Sequence, residues 1–529
     1  MAVASTPSIA LDGAVGHLVD VQADVSQGQA GLTLVGRADV SLNEAPHRCR
    51  MAVHNTNLLW PGSRRITILL SPSDLPKRGT HFDLAIALAV LHADGQLRGA
   101  ELDGSVFIGE LTLNGGLRSV PGVLPMVLAA ARRGIRRVFV PEPQAHEAAM
   151  VPDVEVFGMR SLGQVVAEVC GEEVPEAPPV APMSGSRLLS WRGEERLEEV
   201  DLADVFGIRE ARFAIEVAAA GGHHILLSGP KGCGKTTLAE RIPTILPDLT
   251  TQESIELTAL HSLAGALHDG DGLIRRPPFS APHHDASKAS ILGGGSGRVR
   301  PGEISRAHCG VLLLDEFPLL RTDVIDALRQ PLESGEVTIA RGDESVTYPA
   351  RGMVVFAANP CPCGDYRADA AGNRCTCLER QRRDYQRRVR GPITDRIDIV
   401  RHLQPLQPHD ERDRWSRPET SAMVRERVTA ARLRQADRYT DRTWRLNGQA
   451  PGPSLQQEWP LTRDARAVTD EAMYHGQLSR RGVTRVHRLA WTVADLRGAE
   501  LPSVDDVRTA LALRQGEPLL SSALRQAAS

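Results

Sequence analysis

The sequence predicts a mixed α/β protein with a helical C-terminal part, on three observations. A glycine-rich loop beginning at Gly229 joins an apolar strand to a helix; two later apolar runs end in polar residues, at Asp315-Glu316 and at Asn359; and the chain beyond Pro405 is rich in Arg, Ala and Leu at helical spacing. At 529 residues the chain is too long for one hydrophobic core, so several domains are expected. Its composition, 42% hydrophobic, 24% charged and 4% aromatic, is that of a globular protein. The net charge of −3 supplies no general basic field, so any nucleic-acid contact would have to be local, in a groove or pore.

No basic segment followed by an apolar run opens the chain, so no signal peptide is expected. The longest apolar runs, "DLAIALAVL" and "MVLAAA", fall short of the ~20 residues of a membrane helix and read as buried helices. Eight cysteines in a chain of this size do not make a disulfide scaffold, and four of them cluster. That pattern points to metal in a reducing compartment, and a cytoplasmic location is expected.

Taken in order, residues 1–171 alternate strand-like runs ("RRITILLS", "RRVFVP", "VEVFGM") with helix-like ones ("HFDLAIALAVLHADGQL", "VLPMVLAAARRGI"), as a compact α/β or α+β domain would. Residues 172–200 open with "EEVPEAPPVAPMSGS", proline-rich and without apolar periodicity, which reads as an extended linker. A second α/β block covers 201–404. An all-helical domain, 405–529, is expected from stretches such as "SAMVRERVTAARLRQADR" and "RVHRLAWTVADLRG".

Within the second block, Gly229, Pro230, Lys231, Gly232, Cys233, Gly234, Lys235 and Thr236 fit GxxxxGK[ST] between the strand "HHILLS" and the helix "TTLAERI", with Thr237 next in the same cradle. The glycines let backbone N–H groups turn toward phosphates. Lys235 neutralises β/γ charge, and the Thr236 hydroxyl ligates Mg²⁺. ATP and Mg²⁺ are the expected cofactors. The run "GVLLLDEF" ends a buried strand in Asp315, expected near the Mg²⁺ water shell, and Glu316, expected to polarise an attacking water. "MVVFAANP" brings Asn359 to a strand tip, where an amide can hold that water or sense the γ-phosphate.

Lysine loop, Asp-Glu and Asn at three strand ends resemble the sensor arrangement of AAA+ ATPases. In "GPITDRIDI", Arg396 stands where ring-forming members of that class carry an arginine finger for the neighbouring subunit; the plainer reading is a surface Arg–Asp pair. "RRGVTRVHR" resembles a sensor-2 motif, with Arg485 the first choice for a γ-phosphate contact and Arg488 the second; solvent-facing helix arginines are the alternative.

The stretches "RRPPFSAPHHDASKASILGGGSGRVRPGEISRAHCGVLLLDEF" and "PLESGEVTIARGDESVTYPARGMVVFAANPCPCG" resemble the magnesium-chelatase-like AAA+ ATPases of the YifB/ComM family, and the likeness runs through nearly the whole chain. The family usually has a second proline where Lys231 stands. The N-terminal stretch also resembles the ribosomal-S5-like proteolytic domain of Lon-type proteases, but His81 and Leu124 occupy the places of the nucleophilic serine and its lysine. That domain is therefore read as a binding or assembly module.

The resemblance implies a homo-hexameric ring acting on DNA by structure rather than sequence, as a branch-migration helicase in homologous recombination and natural transformation, with no membrane partner. A chelatase-type remodeller of a partner protein and a nucleotide-switched scaffold are the alternatives. "GEVTIARGDESVTYPAR" reads as a β-hairpin, which in the family faces the pore; Arg341 near its tip and Lys288 in the preceding insert, with His283, His284 and Gly293-Gly294-Gly295, are candidate pore residues. The adjacent histidines also raise metal as an option, less favoured than a structural or DNA-facing role. Cys361, Cys363, Cys375 and Cys377, as C-x-C-x₁₁-C-x-C, could hold Zn²⁺, or be free or redox-sensitive thiols.

Overall fold

A computed structural model describes residues 3–181, 199–267, 271–295, 299–341, 344–367, 373–389, 391, 393–404, 419–520 and 524. Most of the predicted linker, residues 182–198, and the start of the predicted helical domain, 405–418, lie outside them.

The N-terminal part builds two sheets. Val3–Asp12, Val15–Ser26 and Arg65–Ser71 pair antiparallel in that order, with Gly31–Val35 added in parallel at the edge. Ser105–Phe107, Arg137–Pro141 and Glu155–Met159 form a short parallel sheet. The helix Asp83–Ala93, one of the two apolar runs, is buried on nearly every side, as a helix without a polar face must be. His81 and Leu124 both lie in this interior, the histidine ring against the Ile9 carbonyl at 2.8 Å.

The second block is a five-stranded parallel sheet. Its strands run Phe279–Ser280, Val311–Leu314, Met353–Ala358, Ile225–Ser228, Ile399–His402 across the sheet, so the first strand in the chain lies between the fourth and the fifth. The three central strands are buried on both faces, which explains why Ile225–Ser228, Val311–Leu314 and Met353–Ala358 read as continuous apolar runs. Ile225, Leu227, Leu313 and Val355 point to a core shared with the helix Arg209–Gly221 and with the C-terminal helices Ser421–Arg438, Arg480–Arg497 and Val504–Gln515. Leu226, Leu312, Leu314 and Phe356 point the other way, into a core that includes Val337, Val346 and Tyr348 of the hairpin Glu336–Arg341/Glu344–Pro349.

The N-terminal part docks on this block through Ala259 of the helix Thr251–Ala264, which enters the core around Leu124 and Val127. The helix after the glycine loop is shorter than its sequence predicts. It runs Lys235–Ala239 and resumes as Ile242–Ile245, with Pro243, which lacks an N–H, in the first turn of the second piece. Among the described residues no helix is long and apolar enough to cross a membrane.

Candidate nucleotide-binding site

The glycine loop leaves the carboxyl end of the strand Ile225–Ser228 at the place where strand order reverses, the position at which open parallel sheets bind ligands. Gly229 allows the loop a close approach: a Cβ there would stand 2.4 Å from the Leu403 carbonyl oxygen. Gly232 and Gly234 have φ of +77° and +85°, and nothing lies within 4 Å of a Cβ built on either, so the loop's concave side is open. Pro230 and Lys231 continue the loop; Cys233 is buried beneath it.

Lys235 is only 7% exposed, and its Nζ donates to the carbonyls of Gly229 at 2.7 Å and Pro230 at 2.9 Å and to Asn359 Oδ1 at 3.1 Å. These are all neutral acceptors. A buried ammonium held in this way fits an anionic ligand such as a triphosphate. The Thr236 hydroxyl donates to Asp315 Oδ2 at 2.9 Å, which joins the two residues predicted to hold Mg²⁺. Thr237, next along, is exposed at the same helix start.

Glu316 has φ +49° and ψ +36°, a left-handed conformation rare for a residue with a side chain and concentrated at functional sites. Its N–H donates to Asp315 Oδ1 at 2.8 Å, and its Oε1 accepts from Asn359 Nδ2 at 3.2 Å. Asn359 therefore bridges the lysine and the carboxylate with opposite ends of one amide. His284 Nδ1 lies 3.7 Å from Glu316 Oε2, a contact that neither periodicity nor spacing signals.

Arg396 and Arg485 are elsewhere. Arg396 closes the short turn Thr394–Arg396 and pairs with Glu333 at 2.8 Å. Arg485 donates to the Asp395 carbonyl at 2.7 Å and is ion-paired with Asp398, whose N–H donates to the His224 carbonyl. Asp398 and His224 flank the amino ends of their strands, whereas the glycine loop leaves the carboxyl end. The intervening strand is 4 residues long, which at about 3.3 Å per residue separates the two edges by about 13 Å. Arg485 therefore does not contact its own chain's phosphate loop in this structure. Arg488, the second choice, donates to the Ala450 carbonyl within the helical region and does not reach the loop either. The spacing of "RRGVTRVHR" marks a helix but does not fix which sheet edge that helix covers. Burial resists ionisation of Asp398, but Arg485 and His223 outweigh it and hold the carboxyl well below its ordinary value. Burial lowers His224 to about 4.

The two inserts meet. The Tyr348 hydroxyl of the hairpin donates to the Val299 carbonyl at 2.8 Å, and Ile339 lies against Gly293 of the ribbon Gly293–Gly294/Arg300–Pro301. Lys288 is exposed at the start of the helix Lys288–Leu292. Arg341 forms the last ladder pair with Glu344, and its side chain lies outside the described residues.

Fold and site together define an AAA+ ATPase of the magnesium-chelatase type. Residues 201–411 match the family model for magnesium chelatase, subunit ChlI; residues 21–144 match that for subunit ChlI of Mg-chelatase, and 418–514 that for the ChlI C-terminal part. Protein Rv2897c of Mycobacterium tuberculosis (strain H37Rv) is 42% identical over 517 residues, covering 97% of this chain and 99% of the relative. YifB of Escherichia coli is 36% identical over 504 residues, 95% of each chain, and competence protein ComM of Haemophilus influenzae 36% over 501 residues, 94% and 95%. The chain belongs to the YifB/ComM family of magnesium-chelatase-like ATPases.

Proposed function

We propose that this ATPase is a ring-forming motor that acts on DNA, moving branched structures during recombination and the uptake of transforming DNA. The observation that carries the reading is the division of the site. Lysine, acid pair and sensor amide gather at the carboxyl end of the strand Ile225–Ser228, while Arg396 pairs with Glu333 and Arg485 with Asp398, which precedes the neighbouring strand Ile399–His402 at its amino end. In this reading the arginines serve the triphosphate of the adjacent protomer of a homo-hexamer. An arginine given in that way is worth roughly 10³–10⁵ in rate in comparable systems.

Each residue then has a task. Lys235 and the loop N–H groups bind the phosphates, and Asn359 orients the Glu316 carboxylate toward the water it polarises. Thr236 and Asp315 would hold Mg²⁺, which would supply positive charge beside the triphosphate. Zn²⁺ at Cys361, Cys363, Cys375 and Cys377 is the structural metal of the same reading. Arg341 of the hairpin and Lys288 of the helix that leads into the Gly293 ribbon are assigned to the DNA backbone, and the N-terminal part serves as a binding or assembly module. The name of the ComM relative supports the uptake role.

The test is ATP turnover by the purified chain with and without branched and single-stranded DNA, at low and high salt. Stimulation by branched DNA that falls with salt, and that is lost in Lys288→Ala/Arg341→Ala, supports the motor. Turnover indifferent to every DNA would overturn it in favour of a remodeller of a partner protein.

A further inference from the structure

The four clustered cysteines lie beside the phosphate loop. Cys361 is fully buried two residues beyond Asn359, and the Cys361, Cys363 and Cys375 sulfurs are mutually 3.3–3.6 Å apart. Cys377 completes a set whose sulfurs all lie within 4.8 Å of one another. Four thiolates at about 2.3 Å from a tetrahedral zinc ion have sulfurs about 3.8 Å apart, so the set is already close to the ligand shell.

The turn that carries two of these ligands touches the nucleotide loop. Gly364 N–H donates to the Cys361 carbonyl at 3.0 Å, closing Cys361–Gly364, and Gly364 takes φ +84°. Its carbonyl accepts from the Lys231 N–H at 3.4 Å, and a Cβ on Gly364 would stand 2.6–2.8 Å from Lys231 Cγ, Cδ and Cε. The positive φ favours glycine here, and the absence of a Cβ lets the Lys231 stem lie against the turn. The loop is held at a second point as well, where Gly229 N–H donates to the Ala358 carbonyl at 3.1 Å. A proline at position 231 would have neither the N–H nor the aliphatic stem that packs on Gly364.

We infer that the four cysteines form a Zn²⁺ site that clamps the Gly364 turn against Lys231, so that metal occupancy and nucleotide affinity are linked. The metal ties Cys361 and Cys363 to Cys375 and Cys377, which fixes the Cys361–Gly364 turn, and Gly364 fixes Lys231 in the cradle that binds phosphate. The coupling is reciprocal: bound nucleotide must hold the metal more tightly by the same factor. The linkage rests on the reading of Gly229–Thr236 as the nucleotide loop; the metal site does not.

The test uses the full chain, purified under reducing conditions with Mg²⁺ held constant. Zinc is measured by elemental analysis, and binding of a fluorescent ADP analogue is titrated before and after a zinc-selective chelator. The expected result is one zinc per chain, nucleotide affinity about fivefold weaker or more without it, and slower zinc extraction when ADP is bound. Lys231→Pro, which removes both the N–H and the stem, should keep its zinc and bind the analogue as weakly as zinc-free wild type, with or without metal. If the zinc-free protein unfolds, the zinc-loaded Lys231→Pro comparison carries the test, and wild-type affinity in that variant would overturn the clamp. Less than a tenth of an equivalent of zinc after reconstitution, with no thiolate-to-metal band from Co²⁺, would overturn the site. Zinc bound with unchanged nucleotide affinity would overturn the linkage alone. Absence of any nucleotide binding by the zinc-loaded wild type would overturn the ATPase reading and the linkage with it, leaving the metal site standing.

Discussion

The guanidinium of Arg485 is ion-paired with Asp398, a carboxylate 2% exposed at the amino edge of the central sheet. Breaking a buried pair by removing one partner strands the other charge. Arg485→Ala should therefore destabilise the protein by about 3–5 kcal/mol even without nucleotide. Denaturant unfolding of the variant checks this; an unchanged midpoint would mean that the arginine serves only catalysis.

His224 stands next to that pair and is held neutral by burial, at about 4 against an ordinary value of 6.5. A group whose folded value is depressed adds stability above its unfolded value and loses it as pH falls toward the folded one. Stability should be flat above pH 6.5 and decline toward pH 4, by about 3 kcal/mol from this residue. Melting curves across that window, for wild type and His224→Asn, should show a shallower decline in the variant.

Glu316 is aimed by its left-handed backbone and by Asn359, and nothing in the geometry requires it for binding. Glu316→Gln should bind ATP with wild-type affinity and turn it over about 10²–10⁴-fold more slowly. Lys235→Ala should instead lose binding, because it removes the ammonium from the loop. Single-turnover kinetics beside equilibrium titration separate the two outcomes.

Asn359→Ala removes the amide between Lys235 and Glu316. Its cost should appear in kcat, with KM changed less, since the carboxylate loses its orientation while the phosphate loop keeps its lysine. A rise in KM alone would place Asn359 in binding.

The fold and half of the site were legible because they are local. Strand ends carry their polar residues in sequence, so the order of Lys235, Asp315 and Asn359 along the chain already gives three neighbouring strands, and burial on both faces leaves unbroken apolar runs. Contacts set by tertiary packing left no such trace. Arg485 lies on a helix whose spacing announces a motif, yet the sheet edge it covers is decided by how the helices Arg480–Arg497 and Val504–Gln515 pack on Arg209–Gly221 and Ile399–His402. The contact between Gly364 and Lys231 joins residues more than 130 apart, and the only sequence hint was a lysine where the family usually has proline. His284 beside Glu316 had none.

The central claim is that one protomer's phosphate loop works with the next protomer's arginine. Its most direct measurement mixes two inactive proteins, Arg396→Ala and Glu316→Gln, each shown to assemble, and follows ATP hydrolysis against mixing ratio. Mixed interfaces that pair an intact Glu316 with an intact Arg396 should recover a clear fraction of wild-type turnover, greatest near equal proportions. No recovery at any ratio, with mixed assemblies demonstrated, would contradict the shared site.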